Sequence, residues 1–209
     1  MKNLNKIIYI SYYTENTPYE EEINKHLLPS LNRFNLSYDI KKIPDLGSWN
    51  KNTAYKSKFI KEMLLKHKCS VIFLDADAEI WKYPILFEQI PAKYDLGIHW
   101  LDWYKMWRKE TGHNTKEFLS GTMYIPYKRT SFFLIQSFIR EIDRNPNIWE
   151  QKSMQKVVEA NKKLQIYNLP YSYATIILPN NQIPTHMIQK KDIVILHTQA
   201  SRRLKKRRS

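Results

Sequence analysis

Val71-Ile72-Phe73-Leu74-Asp75-Ala76-Asp77 is the most informative run in this chain. Consecutive large apolar residues, mostly β-branched or aromatic, suit a short strand buried on both faces, and such strands belong to the interior of a parallel sheet. Two aspartates follow at once with only alanine between them. In open α/β sheets, ligands gather beyond the carboxyl ends of the strands. Carboxylates two residues apart on extended backbone point the same way, and their repulsion is relieved by a cation held between or beside them. The plainer alternative is a pair of turn or cap aspartates. The metal site is preferred because a buried strand delivers both carboxylates to the sheet edge. A hard divalent ion, Mn²⁺ or Mg²⁺, would take oxygens from Asp75, Asp77 and a diphosphate, and would offset charge on a departing phosphate.

The flanking sequence alternates strand and helix signals. Ile7 to Tyr12 reads as a first buried strand, and Thr17-Pro18-Tyr19-Glu20 supplies a cap, an N1 proline and an N3 glutamate for a helix to about Phe34. A strand over 37–43, a turn at Asp45 to Gly47, and a helix from Ala54 to His67 capped by Thr53 lead into Val71. Beyond the aspartates, strands are expected near Tyr94 to His99, Gly121 to Tyr127 and Ile193 to Leu196. Helices are expected near Ser131 to Asp143 and Ile148 to Ala160. The aromatic and basic stretch from His99 to His113 reads as a long loop or irregular helix. The class is α/β, a single Rossmann-like domain over 1–201 with a central mixed, mostly parallel sheet flanked by helices, followed by a basic tail at 202–209.

Composition narrows the classes. With 209 residues, 43% of them apolar, there is enough to build one substantial core. Cys69 is the lone cysteine, which excludes an intrachain disulfide and a cysteine zinc cluster and fits a reducing cytoplasm. No apolar run is long enough to span a membrane. The formal net charge of +14 is uneven: residues 1–68 hold 12 basic against 7 acidic, 69–130 hold 8 against 8, 131–201 hold 8 against 5, and 202–209 hold 6 against none. A basic body and tail around a neutral centre point to a polyanionic partner, DNA in preference to an anionic membrane surface; ordinary solubilising lysines are the alternative.

A diphosphate needs a grip, and the usual glycine loops are missing. Gly47, Gly97, Gly112 and Gly121 are the only glycines, and none lies in a G-x-G-x-x-G or Walker pattern. Lys56 falls in the first turn of the helix expected after Thr53, where a cation opposes the macrodipole and an anion would relieve it. Lys56, and secondarily Lys58, are therefore candidates for the donor phosphates, against a solvated lysine with no role.

These blocks together are familiar. Tyr55-Lys56-Ser57-Lys58-Phe59-Ile60, Val71 to Ala78 and Pro84-Ile85-Leu86-Phe87 resemble bacterial and phage nucleotide-diphospho-sugar transferases of the GT-A superfamily, which carry a D-x-D site. Leu119-Ser120-Gly121-Thr122-Met123-Tyr124 resembles the family's small-residue and glycine turn beside the donor sugar, Glu150-Gln151 its acid-glutamine pair, and Ile193 to His197 its closing strand. The resemblance implies a GT-A fold, a nucleotide-diphosphate sugar donor, read as a UDP-sugar, and a divalent cation. It places Tyr55, Lys56, Asp75, Ser120 and Gly121 at the donor. In the retaining members, which include glycogenin-like enzymes and lipooligosaccharide galactosyltransferases, a histidine after the closing strand is the third metal ligand, and His197 matches that position. Two departures stand out. Glu150 replaces the usual aspartate, and the H-x-x-G-x-x-K ending is here His197-Thr198-Gln199-Ala200-Ser201-Arg202-Arg203, which makes Arg202 or Arg203 the candidate phosphate cation. Asn147-Ile148-Trp149-Glu150 is also a capping box, which would leave Glu150 structural and Gln151 in the sugar pocket. Asp102 or Glu150 would be the general base of an inverting alternative.

Other classes account for less. An apolar strand ending in Asp-x-Asp is also the nucleophile motif of haloacid-dehalogenase-type phosphatases. These need a second acidic cluster, and beyond Asp102 only Asp143 and Asp192 remain, apart from each other. A metal nuclease meets the same shortage. A non-catalytic nucleic-acid module explains the charge but not Asp75 and Asp77. For the acceptor, Trp100, Trp103, Tyr104 and Trp107, interleaved with Lys105, Arg108 and Lys109, could stack on a base or a sugar, or pack in the core. A hydroxylated base in phage-type DNA is the favoured acceptor, and a lipid-linked or surface glycan the runner-up.

Overall fold

The computed structural model describes residues 6–107 and 116–202. Strand β1 (Ile7–Thr14) leads into a helical run of α1 (Pro18–Glu22), a π turn (Ile23–Leu27) and α2 (Leu28–Arg33). The wide turn has a local cause. Pro29 has no N–H for the preceding turn and its ring crowds a carbonyl there, so the ladder opens just ahead of it. Thr17 precedes the helix as expected, but its hydroxyl donates to Thr14 O (2.7 Å) instead of capping.

Strand β2 (Tyr38–Ile43) follows, then helix α3 (Trp49–His67), strand β3 (Ser70–Leu74), and β4 (Ala78–Ile80). Helix α3 begins five residues before Ala54. Ser48 caps it by accepting from Lys51 N (3.2 Å), and the Thr53 hydroxyl donates to Asn50 O (3.2 Å) inside the helix. Lys56 is thus two turns into α3, and the anion site expected at a helix end beside it does not exist. The second half contains α4 (Leu86–Gln89), β5 (Leu96–Asp102), α5 (Trp103–Trp107), β6 (Lys116–Ile125), α6 (Arg129–Arg144), α7 (Glu150–Ala160), β7 (Ile166–Asn168), β8 (Thr175–Ile176) and β9 (Ile195–His197). The stretch after His99 is therefore strand and short helix as far as Trp107; Arg108, Lys109 and His113 lie outside the described residues.

The main sheet has six strands in the order β2-β1-β3-β6-β5-β7, parallel except where β6 runs against β3 and β5. Central β3 is covered on both faces, as its continuous apolar run requires. Val71 and Phe73 join Ile8, Ile10, Phe59, Ile60, Phe118 and Phe138 under α3, α6 and α7. Ile72 and Leu74 face the other way, onto Tyr9, Ile23, Leu27, Ile80 and Ile195. A second sheet of three short strands, β4-β9-β8, pairs Ala78 with His197. That pairing carries a residue near the chain's end to the carboxyl edge of β3.

Candidate active site

Leu74 ends its strand at a turn. Asp75 N donates to Gly121 O (2.9 Å) and Ala78 N returns to Asp75 O (3.0 Å), so Asp75, Ala76 and Asp77 bridge the two sheets. The two carboxylates converge because of this turn and not, as the sequence reading had it, through side-chain alternation on an extended segment. Asp77 is then fixed from the far end of the chain: Ala200 N donates to its Oδ2 (2.8 Å) and Thr198 N to its backbone O (3.1 Å).

His197 completes the group. Ligand atoms of Asp75, Asp77 and His197 lie within 4.8 Å of one another. The buried Thr122 hydroxyl lies 2.8 Å from His197 Nε2, and Nδ1 faces Asp77 Oδ1 at 3.4 Å. A proton on Nε2 shared with Thr122 leaves the Nδ1 lone pair toward the carboxylates, the orientation a metal-bound imidazole adopts. Two carboxylates and one imidazole suit Mn²⁺ or Mg²⁺, and Asp75 keeps 39% of its side chain open for a cation to reach. Gly121 passes directly beneath: a Cβ there would stand 3.0 Å from His197 Cε1 and 3.1 Å from Asp75 Oδ2.

Behind the aspartates lies a buried polar chain. Lys56, 3% exposed, directs its ammonium to Asp75 Oδ1 (3.0 Å), Glu150 Oε1 (2.8 Å) and Ser120 Oγ (2.9 Å). With three donors and three partners it anchors these groups and has no proton left for a phosphate. Burial would lower its pKa, but Asp75 and Glu150 outweigh burial and hold the ammonium above the ordinary lysine range. Desolvation raises the Asp75 carboxyl, Asp77 and Glu150 add to this, and Lys56 opposes it; the direction is upward. Glu150 is at the start of α7 without capping it. It is 5% exposed and bonds Lys56 and Ser120. Gln151 Oε1 accepts from Ser120 N (3.0 Å), and its Nε2 donates to Glu117 Oε1 (2.7 Å). Ser120 and Gly121 fall where β6 passes from pairing mainly with β5 to pairing with β3, which frees their backbone for these contacts.

These residues line a cleft of about 250 Å³ whose walls include Tyr19, Trp49, Trp103, Trp149 and Arg202. Four carboxylates line it (Asp75, Asp77, Glu117, Glu150) against two cations (Lys56, Arg202), a net charge of −2 that a divalent ion would balance. Tyr19 is pushed up to about 12, first by burial and then by Asp77, so it remains a neutral donor.

Other expected residues lie elsewhere. The Tyr55 hydroxyl is held outside the cleft by Lys41 (3.0 Å) and Glu62 (3.0 Å). Lys58 pairs with Asp143 on the surface (3.1 Å). Asp102 accepts from Lys105 N (3.1 Å) and caps α5, away from the cleft. Trp100 packs on Phe118, whereas Trp103 reaches the cleft and stacks on Trp107. Glu117 went unnoticed in the sequence, and Thr122 entered only as a member of the Leu119-to-Tyr124 block, with no role of its own; their signal was proximity to Ser120 and Gly121 on the same strand.

The profile of the nucleotide-diphospho-sugar transferase family matches residues 33–208. This chain belongs to that family. Its fold is that of the GT-A glycosyltransferases. A glycosyltransferase involved in glycosylation of the major capsid of PBCV-1 superposes with a TM-score of 0.68, at 14% identity over 94% of this chain and 96% of that one. Mouse xyloside xylosyltransferase 1 gives 0.58, at 12% identity over 93% and 98%. The galactosyltransferase LgtC, in complex with donor and acceptor sugar analogs, gives 0.55, at 10% identity over 92% and 87%. No curated protein sequence matches. The transferase is thus a glycosyltransferase using a nucleotide-sugar donor. Among its described residues, no helix is long and apolar enough to cross a membrane.

Proposed function

We propose that the transferase moves a hexosyl or related sugar from a UDP-sugar to an acceptor hydroxyl in a metal-dependent reaction with retention at the anomeric carbon. The observation that carries this reading is the convergence of Asp75, Asp77 and His197 within 4.8 Å beside the buried Lys56–Glu150–Ser120 group. Asp75, Asp77 and His197 would hold Mn²⁺ or Mg²⁺, which when bound supplies positive charge to the departing diphosphate. Lys56 fixes Asp75 and Glu150. Ser120 and Gly121 shape the floor on the sugar side, and Gln151 presents its amide there. Arg202, at the cleft rim, is the cation available to the diphosphate. Asp75→Asn or Asp77→Asn should abolish transfer and Mn²⁺ binding while leaving the thermal midpoint near that of the wild type. Full activity in either variant at ordinary metal concentration would remove the metal site. Product configuration read by NMR tests retention.

For the acceptor, the cleft favours a glycan hydroxyl. Indole faces at Trp49, Trp103 and Trp149 offer flat apolar surface with a polar edge, which suits the face of a sugar ring. The PBCV-1 neighbour's part in capsid glycosylation supports the same reading. A hydroxylated base in DNA is the second reading, favoured by the chain's charge of +14. The basic tail beyond Arg202 lies outside the described residues. Deleting residues 205–209 should weaken duplex DNA binding and flatten its salt dependence on the DNA reading. On the glycan reading with a membrane-bound acceptor it should weaken binding to anionic vesicles instead. A cytoplasmic location fits the lone, buried, reduced Cys69.

A further inference from the structure

We propose that Glu117 is a positioning residue: it sets the orientation of the Gln151 side-chain amide and ties that amide to helix α5 at the cleft mouth. The inference rests on the donor reading of the cleft. Glu117 is the second residue of β6 and is 7% exposed. Each carboxylate oxygen receives a donor: Oε2 takes Trp103 Nε1–H (2.5 Å), and Oε1 takes Gln151 Nε2–H (2.7 Å) with the Lys152 ammonium 3.8 Å away.

The polarity of every link is fixed. A carboxylate only accepts, so the end of Gln151 that faces it must be the NH₂. The other end meets Ser120 N, a backbone amide that only donates (3.0 Å), and must be the carbonyl. Turning the amide over would set donor against donor at Ser120 and acceptor against acceptor at Glu117, two buried mismatches at once. Ser120 is in turn bonded to Lys56 and Glu150, so the Gln151 carbonyl is indexed to the group that holds Asp75. On the other side, the indole held by Glu117 stacks on Trp107 (centroids 6.0 Å apart, planes 3° apart). Gln151 itself has no direct hydrogen bond to Trp103 among the described contacts; Glu117 joins the aromatic mouth to the amide.

The same polarity rules provide the test. In Glu117→Gln the new amide can satisfy Trp103 or Gln151 but not both, since one of its two ends now donates. In Gln151→Glu two carboxylates meet at hydrogen-bond distance. The double variant E117Q/Q151E restores the three hydrogen bonds, though not the 3.8 Å ion pair with Lys152: the new amide at 117 accepts from Trp103 and donates to the new carboxylate at 151, whose other oxygen accepts from Ser120 N. Three readouts apply to wild type, both single variants and the double: thermal midpoint, the indole N–H NMR resonance of Trp103 assigned with Trp103→Phe, and UDP-sugar turnover. E117Q should lower kcat about tenfold, the worth of one misdirected buried hydrogen bond, with donor KM within about twofold. Each single variant should shift the Trp103 resonance or lower the midpoint, and the double should recover both. Additive loss of stability in the double, or wild-type kcat in E117Q, overturns the proposal. If the wild type fails to turn over any UDP-sugar, the donor reading fails, while resonance and midpoint still decide whether this pairing exists.

Discussion

Gly121 and Gly97 allow a matched comparison. A Cβ at Gly121 would approach His197 Cε1 at 3.0 Å, Asp75 Oδ2 at 3.1 Å and His197 Nδ1 at 3.2 Å; at Gly97 the nearest atom is Tyr124 Cβ, also at 3.0 Å. Ordinary carbon contacts lie at about 3.5–4.0 Å, so each added methyl must displace its neighbours by roughly half an ångström. The steric demand is similar and only the neighbours differ. At Gly121 these are two candidate metal ligands with little freedom. His197 is held by Thr122 and by the β4–β9 ladder, and Asp75 by Lys56 and by the hydrogen bond its backbone N–H donates to Gly121 O. Both Gly121→Ala and Gly97→Ala should lose about 1–3 kcal/mol of stability, the cost of overpacking. Only Gly121→Ala should weaken Mn²⁺ binding, by about 10–100-fold, the range expected when ligand orientation is disturbed. Isothermal titration with Mn²⁺ alongside thermal unfolding separates the two effects. Equal Mn²⁺ affinity in both variants, with equal destabilisation, would refute the assignment of the floor of this site to Gly121.

Three further outcomes follow from the same contacts. Lys56→Met leaves Asp75 and Glu150 facing each other without their shared cation, and should cost about 3–5 kcal/mol by denaturant unfolding at pH 7, with partial recovery as the pH is lowered. Asp95, 6% exposed, accepts from Lys128 (2.8 Å), Thr130 (2.7 Å) and Gln165 N (2.9 Å); burial acts to raise its pKa, but these partners outweigh it and hold the carboxyl below the usual aspartate value. A folded pKa below the unfolded one gives stability that is complete above about pH 4 and fades as pH falls through the lowered value, so Asp95→Asn should be less stable at pH 7 and should show a shallower loss of midpoint in acid. Ala200 stands where the family has glycine, yet the positive φ of this segment is at Gln199 (53°) and Ala200 serves through its amide on Asp77; Ala200→Gly should therefore leave kcat and metal affinity unchanged and cost about 0.4–1 kcal/mol through the unfolded chain.

What could be read from the sequence was what neighbouring residues determine. Val71 to Leu74 had to be a doubly covered strand, and Asp75 and Asp77 had to leave it together, because each follows from adjacent side chains. Helix α3 was misplaced because Ser48 and Thr53 are both competent caps. Choosing between them depends on Trp49 packing against Trp149, a contact across 100 residues of sequence. Tyr55 and Lys56 were assigned to one site although neighbouring helical residues point about 100° apart; Lys56 turned inward, and Tyr55 turned to Glu62, two turns along its own face. Of the small β4-β9-β8 sheet only β9 was expected, as the strand near Ile193 to Leu196; β4 and β8, of three and two residues, carry no period to detect. Glu117 was invisible for another reason: its partners come from α5 and α7, and no spacing along the chain announces that meeting.

The bond from Ala200 N to Asp77 and the pairing of His197 with Ala78 join positions more than 100 residues apart, the later partner being among the last described. During synthesis the chain emerges amino end first, and its domains fold as enough sequence becomes available. The large sheet can be completed once Asn168 has appeared, since β7 is its last strand. At that moment Asp75 and Asp77 have neither the imidazole nor the amide that orients them, so a nascent chain can be largely folded and still hold a cation poorly. The proposed metal site would be complete only with residues 195–200, and a chain that stops short of them also lacks Ile195, which packs against Ile72 and Leu74.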